Sequence, residues 1–177
     1  MDNYSQKDYE DDFIEDMQNY EYQKMVEKAR NVVLATAAGT GVTGAIPIPF
    51  ADAPLMIAEE VGMMVAINAI FKFDVKKDIL KSLVMAALGT SSATIIGKTI
   101  ASNLLKIIPG AGTVAGAAVS GGTGALIAFL LGNAYIEVCK AVKMGKLTLD
   151  DLAKKKGKEA MKEAFKEQMR KKKNESA

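Results

Sequence analysis

Small residues recur at every fourth position from Gly112 to Gly132: Gly112, Gly116, Ser120, Gly124, Ala128 and Gly132. On an α-helix a spacing of four drifts by only about 40° per step, so these residues form one slowly winding stripe. Glycine inside a helix costs roughly 1 kcal/mol relative to alanine, and the stripe holds four of them. Close approach of another helix backbone is the compensating use, as in the small-xxx-small pairs of membrane helices. The expected partner is the preceding helix, where Ala93, Gly97, Ala101 and the nearby Ser102 make a matching small surface. Gly116 and Gly124 are the positions expected to be most sensitive. The ladder lies within an uncharged run from Ile107 to Ile136, longer than the roughly 20 residues that a bilayer core requires. Such a run must be buried in a bundle or enter lipid.

The rest of the chain reads as helix. From Tyr20, the residues Met25, Val26, Ala29, Val32, Val33 and Ala37 recur at helical spacings until Gly39. The stretch "AIPIPFADAP" then forces an extended connector through Pro47, Pro49 and Pro54. Asp52 is placed to cap a helix over 53–72, and Asp74 another over 75–88. A fourth helix is expected over 92–108, and Pro109-Gly110 turns the chain into the ladder, which stays helical to about Met144. Gly145 suits the stop of that helix. Thr148 and Asp151 have the spacing of a capping box for a last helix reaching about Lys172. No stretch alternates at period two. The expected fold is all-α: a bundle of about six helices with a glycine-laddered central helical hairpin, open to membrane insertion.

Charge divides the chain. Residues 1–18 form an acidic arm, expected to be disordered or loosely helical, and residues 1–20 carry a net −6. Residues 19–145 form the helical domain, and 146–177 a lysine-rich amphipathic helix and tail; from Lys140 onward the net charge is +7. The absence of histidine and the single Cys139 exclude an intramolecular disulfide and a His/Cys zinc site. The acidic, polar start is unlike a signal peptide, so a cytoplasmic-side location is expected. No cofactor, no metal and no nucleic-acid partner is expected.

Two stretches imitate phosphate chemistry. Gly97-Lys98-Thr99 is the tail of a phosphate-binding loop, but position 92 is serine, Gly89 is out of register and no strand precedes it. Gly110, Gly112 and Ala115 fit a relaxed dinucleotide fingerprint, with Pro109 before it and no acid at 130–135. Both read as ordinary helix. Glu59 and Glu60 read as a solvated edge, or as partners for Lys81, Lys98 or Lys106. Met56, Met63, Met64 and Met85 read as core filler.

The stretches "GAIPIPFADAPLMIAEEVGMMVAINAIF" and "LLKIIPGAGTVAGAAVSGGTGALIAFLLGNAYIEV" resemble a bacterial helical domain, domain of unknown function 697. The likeness covers about residues 25–145, with Pro47, Pro49 and Asp52 in one connector and Pro109 and Gly110 in the other. In that family the domain is often attached to small GTPases of the Era-like or dynamin-related kind, and some members are predicted membrane proteins. Here only some twenty acidic residues stand where a GTPase would. The resemblance therefore implies association with a GTPase in trans, not GTPase activity.

Three functional readings follow. The first is a non-enzymatic, membrane-associated module, a tether or partner of a separate small GTPase on the cytoplasmic side of the inner or cytoplasmic membrane. There the C-terminal lysines would favour anionic lipid. The second is a soluble adaptor bundle in the cytoplasm. The third is a self-assembling, pore-like membrane protein, since glycine ladders also permit helix homo-oligomers. An enzyme would need a nucleophile, a histidine or a metal cluster beside the carboxylates, and none is close in sequence.

Overall fold

A computed structural model describes residues 6–43, 53–88 and 117–175, with side chains from 15–39, 57–88 and 124–175. Six helices and no strand are found among them: α1 (Gln6–Thr43), α2 (Ala53–Phe71), α3 (Lys77–Leu88), α4 (Ala117–Lys143), α5 (Leu149–Leu152) and α6 (Lys155–Glu175). The protein is all-α. The connectors with Pro47, Pro49, Asp52, Pro109 and Gly110, the expected helix at 92–108, and both phosphate-like stretches lie outside the described residues.

Helix α4 is the axis of the bundle. It packs on α1, α2 and α6, its most extensive partner being α1, while α3 lies against α2 and α6. Most of the second half of α4 is core: Ile127, Leu130, Leu131, Ala134, Tyr135, Ile136, Val138 and Cys139 are all buried. Its one polar stripe, Asn133, Glu137 and Lys140, is half-buried, with Lys140 paired to Glu137 at 2.8 Å. The other helices each contribute one stripe. Val26, Ala29 and Val33 face inward from α1, Leu80, Leu83, Val84 and Ala87 from α3, and Met161 and Phe165 from α6. Met63 and Met64 are core residues, as expected.

Helix ends follow local chemistry. Gly145 takes a left-handed conformation (φ 70°), and the Lys146 and Gly145 N–H groups donate to the carbonyls of Ala141 and Val142 at 2.9 and 3.0 Å. This is the Schellman stop that a glycine at this position favours. Asp74 does not cap α3, which starts at Lys77; the Leu80 N–H bonds the Lys76 carbonyl instead. The Thr148–Asp151 capping box forms with both reciprocal hydrogen bonds, 3.1 and 3.0 Å. It starts only the four-residue α5, however, and the chain turns at Ala153 before α6 begins. Gly157 is buried at this corner, where a Cβ would stand 2.5 Å from the Leu152 Cα. Two helices therefore occupy the place of the single expected one.

Of the two states expected for the acidic arm, the described residues take the helical one. Helix α1 begins at Gln6, so most of residues 1–18 is helical and continuous with the domain. Tertiary burial plays no part in residues 15–21, all of which are exposed. Packing starts at half-buried Tyr22 and fully at Val26. Deleting residues 2–16 should therefore leave helicity per residue and the thermal midpoint nearly unchanged, measured by circular dichroism at high dilution. A large fall in midpoint would show that the acidic turns support the core.

Candidate functional site

The site is built where α2 and α1 meet the ladder. Of the six ladder positions, Gly112 and Gly116 lie outside the described residues, and Ser120 lies in α4 with its side chain undescribed. Gly124 is half-buried, whereas Ala128 and Gly132 are buried. At Gly132 the close approach is direct. A Cβ there would stand 2.5 and 2.8 Å from the two γ-methyls of Val33 and 2.9 Å from the Met63 sulfur. The methionine can move, but valine is held to few rotamers by its branched Cβ. The rung seen to be most constrained is thus Gly132, and the partner it meets is α1 with α2.

One turn beyond this contact lies a buried polar pair. The Tyr135 hydroxyl donates to Asn68 Oδ1 at 2.6 Å, with both side chains buried. The Asn68 amide nitrogen has no partner among the described residues. Because Met63 stands at Gly132 and Asn68 at Tyr135, α2 and α4 run in the same direction along this seam. Glu60 precedes Met63 by about 4.5 Å of helix rise, which sets it near the level of Ala128.

Glu60 corrects the expectation of a solvated edge. It is 1 % exposed, and neither carboxyl oxygen has a hydrogen-bond partner among the described residues. Adjacent helical residues point about 100° apart, so only one of the pair can sit at the edge; that one is the half-buried Glu59. Lys81 is exposed and forms no ion pair with either among the described residues. Burial first, and the neighbouring negative charge of Glu59 second, push the Glu60 carboxyl up to about 8. It is therefore held neutral at pH 7, where a buried unpaired carboxylate would be very costly. Burial also raises the Cys139 thiol, to about 12. Asn68 and Tyr135 were not anticipated; the signal available was one amide and one phenol in otherwise apolar stretches.

The site is thus an interior packing seam with polar members shut away from water. Among the described residues, no group of three or more acidic, Cys or His side chains could hold a metal. Comparison with known proteins gives one match. The family model described as "Domain of unknown function (DUF697)" matches residues 9–174. The chain belongs to this family. No curated protein and no solved structure matches the chain. The family's match begins inside the acidic part of α1 and ends in the last turn of α6. The match thus takes in α1 from residue 9, the seam and the lysine-rich α6 to residue 174.

The Glu60 carboxyl binds its proton more tightly folded than unfolded, where its value is near 4.5. Stability should therefore fall as pH rises through about 4.5 to 8, by at most ~1.4 kcal/mol per pH unit, and level off above. Glu60→Gln should remove this slope and be the more stable protein at pH 8.5. Urea denaturation of both proteins from pH 5 to 9 tests this; parallel profiles would contradict it.

Proposed function

We propose that the chain is a non-enzymatic helical module that associates with the cytoplasmic side of a membrane and serves as a tether or partner of a separate small GTPase. The observation that carries the membrane part is the outer face of α2. Ala58, Gly62, Val65 and Ala69 recur at i, i+4, i+7 and i+11, all exposed and all uncharged, until Lys72 ends the stripe. Among the described residues, nothing lies within 4 Å of where a Cβ on Gly62 would stand. A water-facing helix ordinarily carries charge on such a face. Further support comes from Gly124–Lys143, apolar enough to cross a membrane with a mean hydropathy of 1.6, although just over half of it is buried inside the protein. The GTPase partner is supported by the family resemblance alone.

The soluble adaptor is the second reading. It is favoured by the enclosure of Leu130, Leu131 and Tyr135 within the bundle, which accounts for the apolar second half of α4 without lipid. Fractionation of the native protein followed by carbonate extraction separates the readings. Membrane association predicts that the protein sediments with membranes before carbonate treatment and that Gly62→Glu with Val65→Glu moves it to the soluble fraction. Recovery of the wild type in the soluble fraction, at the size of a single bundle, would overturn the membrane reading and favour the adaptor.

A further inference from the structure

Helix α1 extends beyond the body of the bundle. Seven consecutive residues, Glu15 to Glu21, are exposed, which covers every direction around the axis, and the helix continues outward to Gln6. These turns receive nothing from burial of an apolar face, the source of most helix stability in proteins. They also present two large side chains to water, Met17 and Tyr20, at 44 and 53 % exposure. At their root, an open depression is lined by Tyr20, Gln23, Lys24, Val26, Glu27 and Arg30 of α1 alone. The family match includes this segment from residue 9.

At the other end of the chain, α6 sorts its charges. Lys155, Lys158, Lys162, Lys166 and Lys173 stand at i, i+3, i+7, i+11 and i+18, one exposed stripe about 27 Å long. Glu159, Glu163 and Glu167 lie to one side of it, and Lys155 and Lys166 pair with the first two at 3.5 and 2.8 Å. The stripe is basic and the projecting part of α1 is acidic. From Gln6 to Glu21 that part is about 24 Å long, close to the length of the stripe.

We propose that the projecting acidic turns of α1 dock along the lysine stripe of α6 on a second copy of this chain, reciprocally, forming a two-fold dimer. Each copy carries both halves of the contact, so a two-fold pair satisfies both at once, whereas a head-to-tail contact leaves one half open at each end. Opposite charge sets the register, while Met17 and Tyr20 supply apolar area. An anionic membrane is not an occupant that acidic turns can accept.

The test uses the full chain and a charge swap, read by sedimentation at low and high salt. The wild type should dimerise at low salt and dissociate as salt rises. Reversal of the acidic turns (Asp12→Lys, Glu15→Lys, Asp16→Lys) should weaken the dimer by about tenfold or more, as should reversal of the stripe (Lys158→Glu, Lys162→Glu, Lys166→Glu). Mixed together, the two reversed proteins should form a heterodimer near wild-type affinity, because the basic turns of one then meet the acidic stripe of the other. Thermal midpoints at high dilution check that each variant folds. A wild type that stays monomeric at low salt would overturn the proposal. So would a dimer indifferent to both reversals, or reversed proteins that fail to pair. A monomer whose Met17→Asp, Tyr20→Ser variant loses adsorption to zwitterionic vesicles would assign these turns to lipid instead.

Discussion

The bundle depends on one close approach, that of the α4 backbone at Gly132 to Val33 of α1 and Met63 of α2. Three helices meet at a position where a single added methyl would overlap both methyls of a valine. Close packing of this kind gains many small dispersion contacts that a larger residue would forfeit by holding the helices apart. Because α4 is enclosed around this point, the apolar residues on either side of it, Leu130, Leu131, Ala134 and Tyr135, find partners on all faces. The polar seam follows from the same geometry. With α2 drawn in at Met63, Asn68 is brought to Tyr135 further along, and Glu60 is carried into the interior in the other direction.

Much of this arrangement is legible in the residues. The glycine ladder points to a packing face, and Gly132 is one. Gly145 stops α4 because a left-handed residue is needed there, and Thr148 with Asp151 makes the capping box its spacing implies. The helical class follows from the absence of any alternating stretch. Other features depend on what lies across space. Nothing local distinguishes Glu60 from Glu59, since which of two neighbours turns inward depends on the position of α1, α3 and α4. The break after Leu152 is equally hidden, because it depends on Gly157 passing against the backbone of α5. The identity of the ladder's partner is a tertiary fact as well. The small surface at Ala93, Gly97 and Ala101 lies outside the described residues, and the contact made at Gly132 is with Val33 of α1 and Met63 of α2.

Charge and apolar surface are kept apart on this domain. Acid concentrates on the turns of α1 beyond the core, lysine on the outer face of α6, and the uncharged small residues on the outer face of α2. None of these surfaces is needed to close the core, which is formed from the opposite faces of the same helices. Surface and core therefore place separate demands on the sequence, and the surfaces are where partners would act. The buried carboxyl of Glu60 is the exception, a titratable group that the core itself must hold neutral.

A double-mutant cycle between Gly132 and Val33 tests the central contact most directly. Gly132→Ala alone should destabilise the protein, the overlap with Val33 costing about 1–3 kcal/mol against a gain of roughly 1 kcal/mol in helix propensity. In a Val33→Ala background, both γ-methyls are gone, and the same change at Gly132 should become neutral or stabilising. Denaturant unfolding of the four proteins should give a coupling energy above about 1 kcal/mol, well outside the ~0.5 kcal/mol within which independent sites add. Additive effects would show that Val33 does not occupy the space a side chain at 132 needs, and the close approach on which the bundle is built would be wrong.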